Sequence, residues 1–295
     1  MSLHGVSAGG PQRTTNGSST GYVIREPRDI GDFAQLAHVF QIVFRLADAA
    51  APPAWLMEDT TKAGGLTLGL WHGDKAVGFS YAVGGIDKGL PSLYSDGLGV
   101  LVEHRAHGQA YAMKLVQREH ALKLGYQRIT WTFSALRSVN AHLYLTRLGA
   151  VASKYIPDNR GPFGSEWQVE GDVPLDEFFV EWQLDSERVR SRLEGVEHAP
   201  ELDAAVPVIS QCSGSAPTRV LEQVDDLPGT DRVAVEVPSD FQVLVDEAPT
   251  LAHDWRTKTR PLFSKLIEEG YALTESPYDP ETRRGHYVFE RPAAP

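Results

Sequence analysis

Residues 92–124 read SLYSDGLGVLVEHRAHGQAYAMKLVQREHALKL. Tyr94 to Val102 is rich in apolar and β-branched side chains and reads as a buried strand, with Gly97 and Gly99 marking a bulge or a close backbone neighbour. From Gly108 the period changes. Ala112, Leu115, Val116 and Leu122 fall on one helical face, while Lys114, Gln117 and Arg118 fall on the other, whose cations either gather for an anion at the Gly108 turn or form a solvated basic face, and Gly125 ends the run. The turn between strand and helix, Arg105-Ala106-His107-Gly108-Gln109-Ala110, leaves backbone N–H groups at a helix start, where an anion can satisfy them. Gly108 has no side chain and Ala110 almost none, so a bulky diphosphate has room to lie against the main chain.

Outward from that stretch, composition narrows the options. The chain has 295 residues, 42% of them hydrophobic, enough for one large domain or two modest ones. No apolar run approaches the roughly 20 residues that cross a bilayer, and the N-terminus lacks a signal-peptide pattern; a cytoplasmic protein with no membrane partner is the expectation. The single cysteine, Cys212, excludes an intrachain disulfide. A net charge of -11 disfavours nucleic acid as a partner, although His104, Arg105, His107, Lys114 and Arg118 gather cations around the turn. The ten histidines show no metal-ligand spacing, so no metal is expected. There is no G-x-x-x-x-G-K-[ST] phosphate loop, and Gly97-Leu98-Gly99 lacks the third glycine of a dinucleotide fingerprint.

In chain order, residues 1–19 read as a disordered tail. A strand at Tyr22 precedes a helix with Phe33, Leu36, Ala37, Phe40, Val43 and Phe44 at helical spacing, Asp29 as its N-cap and Ala51-Pro52-Pro53 as its stop. A short helix over Ala54–Lys62 follows, then strands over Leu66–Trp71 and Ala76–Val83 joined by a tight turn, and a loop over Gly84–Pro91. After the pivotal strand and helix, Arg128–Phe133 reads as a strand parallel to its predecessor, Ser138–Leu148 as a helix capped by Gly149, and Ala150–Ile156 and Phe178–Leu184 as strands. The predicted fold is α/β (α+β), a mixed sheet flanked by helices over residues 20–184, with a crevice between the Tyr94 and Arg128 strands. Residues 185–230 read as a helical piece and a Pro/Ser/Gly-rich linker. Residues 231–295 form a smaller α+β unit packed on the first, whose helix over Leu251–Glu269 is kinked or divided at Pro261. No internal repeat is evident.

VLVEHRAHGQA carries Arg105, Gly108 and Ala110 in the spacing of the GNAT acetyltransferase signature, an Arg or Gln followed by x-x-Gly-x-Gly or Ala. With the flanking strand and helix, and with RITWTF before SVNAHLYLTRLGA, the chain resembles that superfamily. ITWTF, SVNAH, LGA and VEWQLDSERV resemble more narrowly a bacterial group of predicted GNAT acyltransferases with a C-terminal extension. The resemblance implies an acyl-coenzyme A co-substrate, acetyl or succinyl. The diphosphate would lie on the backbone from Gly108 through Gln109 and Ala110 to Tyr111, beside Arg105, Ala106 and His107. The pantetheine amides would pair along Val100, Leu101 and Val102, a free N–H around Val100 would take the thioester oxygen, and Asn140 would anchor donor or substrate. Two positions depart from the pattern: the tyrosine four residues before the closing glycine falls at Leu145, with Tyr144 beside it, and the narrower group's histidine is replaced by Asp96.

Transfer of an acyl group from a thioester to an amine needs a neutral amine, a donor for the developing oxyanion and a proton for the thiolate. A fixed main-chain donor contributes roughly 3 to 4 kcal/mol to the second of these. Asp96 is the candidate base, sharing a strand face with Tyr94 and Leu98 by strict alternation, or else a carboxylate capping local N–H groups. Tyr144 is the candidate acid, or else an aromatic packed on the sheet; Asn140 is a ligand or a helix cap. Trp131 and Phe133 share a face, as pocket wall or as core. The sequence therefore points to an N-acyltransferase acting on a small amine or amino acid by direct attack. A non-catalytic acyl-coenzyme A sensor and a plain nucleotide-binding protein are the other readings, and a homodimer remains open.

Overall fold

The computed structural model describes residues 21–46, 50–105, 108–159, 161, 170–195 and 201–291. The tail and two residues of the turn, Ala106 and His107, lie outside the described residues. The first unit runs β1 (Tyr22–Arg25), α1 (Ile30–Phe44), α2 (Ala54–Lys62), β2 (Leu66–His72), β3 (Lys75–Asp87) and β4 (Leu90–Val100). A 3-10 turn (Val102–His104) leads to α3 (Gln109–Lys123) and β5 (Arg128–Ser134), then α4 (Ser138–Ala141), a π-turn (His142–Arg147), β6 (Val151–Ile156) and β7 (Glu177–Gln183). There follow α5 (Glu187–Leu193), β8 (Ser210–Ser213), β9 (Val220–Val224), β10 (Arg232–Val237), α6 (Phe241–Glu247), α7 (Pro249–Glu268), β11 (Ala272–Glu275), β12 (Tyr278–Asp279) and β13 (Arg284–Glu290).

Local chemistry sets several of these boundaries. Asp29 caps α1 as predicted, accepting from the Asp32 N–H at 2.9 Å. The segment read as a loop over Gly84–Pro91 is instead the end of a β3–β4 hairpin. Lys88 and Gly89 turn it with φ of 51° and 79°, the left-handed pair that matches strand twist. The Pro/Ser/Gly-rich linker contains another hairpin, β8–β9, and Cys212 lies within its first strand. Pro261 does not divide its helix: α7 runs unbroken from Pro249 to Glu268. The short helix α6 before it went unpredicted, although Asp240 caps it by accepting from the Gln242 and Val243 N–H groups.

A single mixed sheet, ordered β1-β2-β3-β4-β5-β7-β6-β11-β13-β10, runs through both units, with β12 beside β13. The C-terminal unit therefore extends the sheet through β11 as well as packing helices on it. Its topology also repeats part of the first unit. In both, a strand is followed by a helical segment and further strands, and the last strand inserts between the first and the one that follows the helices: β5-β7-β6 in one, β10-β13-β11 in the other, where the short β12 is an addition. The two trios meet antiparallel at Ala152 and Leu273, and each carries a register shift in the same place, between Ala152 and Lys154 and between Leu273 and Glu275. This repeat is invisible in the sequence because the two helical segments differ in length and almost no side chain is shared.

The main apolar core spans both units: Trp131, Phe178, Trp182, Trp255, Phe263 and Phe289 belong to one buried cluster. On the other face of β3 and β4, α1 and α2 enclose a second cluster around Phe40, Phe79 and Tyr81. Helix α1 sits very close to β4: a side chain at Gly97 would meet Phe40 at 2.7 Å and Phe79 at 2.9 Å. The strand glycines accordingly mark a close helix approach.

Candidate functional site

The β4–β5 ladder is two pairs long, Leu93 with Ile129 and Tyr94 with Thr130. Beyond them the parallel strands part, and the C-terminal halves of β4 and β5 form the arms of a fork. The crevice expected between these strands is this fork.

A bulge re-aims the β4 arm. The partners of β3 step from Gly97, opposite Tyr81, to Ser95, opposite Ala82, so Asp96 is the extra residue. Ser95 faces α3, where its hydroxyl accepts from Lys114, while Gly97 faces Phe40 and Phe44 of α1. Strict alternation placed Leu98 with Tyr94 and Asp96; the bulge moves it to the α3 side, against Val100, Met113 and Leu70. Tyr81, whose hydroxyl meets Thr60 Oγ1 at 2.9 Å, has its pKa raised by burial, with the Asp96 carboxylate adding to the rise.

At the tip of the same arm the strand ends at Val100, two residues earlier than the apolar pattern suggests. The Leu101 N–H donates to Val77 O at 2.9 Å, and Val102, exposed, begins the 3-10 turn. Arg105 turns back so that its Nε donates to Val100 O at 2.8 Å. Gly108 is the N-cap of α3 with φ 77°, and a Cβ there would meet nothing within 4 Å. Among the described residues no side chain caps α3, and a helix start of this kind presents backbone N–H groups to which an anion can bind. The Arg147 guanidinium stacks over the Tyr111 ring at 4.1 Å.

The inward face of α3 differs from the predicted one. Gln109, Met113, Lys114, Gln117 and Ala121 are buried, whereas Leu115, Val116 and Leu122 are only partly so. Lys114 and Gln117 are wholly inaccessible. The reason is a polar floor under the fork: Gln117 Nε2 donates to Ser80 Oγ (2.9 Å) and Ser95 Oγ (3.2 Å), and Lys114 Nζ donates to Gln117 Oε1 (3.0 Å). Residues expected on the face opposite the apolar one satisfy one another against serines of β3 and β4.

On the β5 arm, Tyr144 packs edge-on against Trp131 and Phe133, with ring centroids 5.1 and 5.7 Å apart. It lies five residues before Gly149 in the π-turn, whose bonds join residues five apart, as Leu148 N to Leu143 O. A π-turn absorbs one residue relative to an α-helix, so Tyr144 takes up a place that an α-helix would give to Leu145. Burial pushes the Tyr144 phenol up to about 12. Asn140 is exposed within α4 and does not cap it.

Helix α6 closes the far side of the fork, which the sequence did not signal. Arg137, just past β5, donates to Gln242 Oε1; Gln242 donates to Asp246 Oδ1 at 2.7 Å; and Asp246 lies 3.7 Å from Arg45, just past α1. Burial and the like charges of Arg137 and Arg45 lower the pKa of Arg105, so three guanidiniums stand around the ends of the two arms. Among the described residues no group of three metal-ligating side chains occurs, and no helix is long and apolar enough to cross a membrane.

No protein-family model and no curated protein matches the chain. Solved structures do align with it. The ribosomal-protein-S18-alanine N-acetyltransferase of Escherichia coli covers 56% of this chain and 95% of its own, at 14% identity and TM-score 0.44. A putative acetyltransferase from Salmonella typhimurium, solved with its cofactor acetyl-CoA, covers 63% and 100%, at 17% identity and TM-score 0.46. An acetyltransferase of GNAT family from Streptococcus pneumoniae covers 54% and 97%, at 15% identity and TM-score 0.42. These are likenesses of chain path over little more than half of this chain, and nothing about activity follows from them.

Proposed function

We propose that the protein is an N-acyltransferase that moves an acyl group from acyl-coenzyme A, acetyl or succinyl, to a small amine or amino acid by direct attack. The observation that carries this reading is the fork, in which a two-pair parallel ladder opens beside the bulge at Asp96 and ends at the glycine-led start of α3. A long donor with a diphosphate at one end and a thioester at the other fits that arrangement. Backbone N–H groups from Gly108 to Tyr111 would hold the diphosphate with Arg105 alongside, and the pantetheine would lie between the arms.

In this reading the amine approaches from the α1/α2 side, where Asp96 takes its proton, and Tyr144 faces the sulfur from the β5 arm. Cys212 does not suit a covalent route, because burial first and then the Glu236 carboxylate push its thiol up to about 12. Thiol release measured with acetyl- and succinyl-coenzyme A across a panel of amines and amino acids tests the proposal. Amine-dependent release supports it. Tight donor binding with no turnover for any amine would replace it by the sensor reading, and competition by ATP or NAD would favour a nucleotide-binding protein.

A further inference from the structure

Lys114 is the group beneath the fork to which that reading gives no task. Its Nζ lies 3.2 Å from Ser95 Oγ and 3.9 Å from the centroid of the Trp131 ring. Ser95 and Trp131 are the first residues of β4 and β5 beyond the last ladder pair, Tyr94 with Thr130. The amine therefore spans the apex, touching both arms where they part. The elements packed against it present Ser80 of β3 through Gln117, Ser95 of β4, Trp131 of β5 and Tyr144 of the π-turn, whose ring centroid is 5.9 Å from Nζ. Tyr144 is the one titratable side chain in that set. Among the described residues no carboxylate pairs with Lys114; the charge of Asp96, next to Ser95, is felt at Tyr81.

An ammonium held in a dry site with no counter-charge surrenders its proton readily. Burial pushes Lys114 down to about 7, whereas it pushes Tyr144 up to about 12. A thiol ordinarily titrates near 8.5. Proton transfer to a thiolate is thus downhill from Lys114 and strongly uphill from Tyr144.

We propose that Lys114 is the proton donor to the thiolate that leaves at the apex of the fork, with Tyr144 as the neighbour that orients the sulfur. The inference rests on the acyltransferase reading. The acceptor nitrogen forms the C–N bond with its lone pair, and the C–S bond breaks with its electrons passing to sulfur. Because Nζ is inaccessible, the proton travels through the Ser95 hydroxyl it touches at 3.2 Å: Ser95 Oγ gives its hydrogen to sulfur and takes one from Lys114 Nζ. The proton shed by nitrogen passes to Asp96 and then to solvent, and Lys114 regains one by the same hydroxyl once the thiol has left, so no further reactant is consumed.

The test uses the full chain labelled with lysine carrying carbon-13 at Cε, together with kcat against pH for acetyl-coenzyme A and its best amine. One lysine resonance should titrate near 7 and be missing from Lys114→Met. The wild-type kcat should fall as the pH rises through that value. Lys114→Arg, whose charge is fixed, should lose this limb and about tenfold or more in kcat with the donor KM unchanged. A Lys114 resonance, assigned by its absence from Lys114→Met, that titrates in the ordinary lysine range overturns the proposal whatever the activity of the variants. So do folded Lys114→Met and Lys114→Arg proteins that keep the wild-type kcat and limb. Either result leaves the acyltransferase reading standing, whereas absence of amine-dependent thiol release in the wild type defeats that reading first.

Discussion

Ala152 of β6 pairs with Leu273 of β11, and each lies three residues after a left-handed glycine, Gly149 at φ 74° and Gly270 at φ 85°. The pairing sets two equivalent strands against each other and makes one sheet of two units. Rings from both sides complete the contact: Phe178 of β7 lies 5.3 Å from Phe263 of α7 and 6.2 Å from Tyr287 of β13, centroid to centroid. A chain ending near residue 195 would expose the edge of β6 and the apolar face of Phe178 to water. The truncated protein is expected to aggregate or bind a hydrophobic dye strongly. The full chain should unfold in one calorimetric transition; two separated transitions would mean that the units fold independently.

Gly97→Ala tests how tightly α1 is seated. The added methyl meets Phe40 and Phe79 at under 3 Å, and ring carbons locked in a core cannot retreat cheaply. A loss of about 1–3 kcal/mol is expected from such overpacking, read as a lower urea midpoint with an unchanged m-value. A neutral result would show that α1 can shift outward.

Much of this architecture was legible in the sequence, and the exceptions have a common cause. The apolar periodicity of α1, the turn at Gly73-Asp74 and the strand–turn–helix around Gly108 are local signals, and the structure keeps them. What periodicity could not deliver depended on a distant partner. Lys114 and Gln117 read as the face turned away from the core until Ser80 and Ser95 are brought beneath them. Tyr144 reads as one residue out of place until the π-turn absorbs the offset. Leu98 reads as facing the wrong side until the bulge at Asp96 is counted. The bridge from Arg137 through Gln242 and Asp246 to Arg45 joins residues about a hundred or more positions apart, and no local pattern announces it.

Acid should unfold the protein through Asp176. Its side chain is inaccessible, and burial alone would raise its pKa, yet hydrogen bonds from Arg260 and Tyr155 and from the Asp158 N–H hold it below the usual carboxylate range. A carboxylate depressed in the folded state contributes stability that is fully present above its unfolded pKa of about 3.9 and is lost as the pH falls through the folded value. Arg260→Met removes two of those bonds, at 2.9 and 2.6 Å. Its acid-unfolding midpoint, followed by circular dichroism, should move to higher pH while stability at pH 7 also falls. An unchanged midpoint would remove Asp176 from the acid transition.

Gly108→Glu separates donor binding from folding. The position has open space around it, so a side chain is accommodated, and the left-handed φ of 77° costs a non-glycine residue roughly 1–2 kcal/mol. The carboxylate would stand at the start of α3, where the N–H groups proposed to take the diphosphate emerge, and would both occupy and repel. Donor affinity measured by calorimetry is expected to fall about a hundredfold or more, an effect of about 2.8 kcal/mol, with the circular dichroism spectrum unchanged. Gly108→Ala carries the same backbone strain without the charge, so its affinity should fall far less than that of Gly108→Glu. Equal losses in the two variants would assign the effect to the strained turn, and undiminished affinity in both would place the diphosphate elsewhere on the protein.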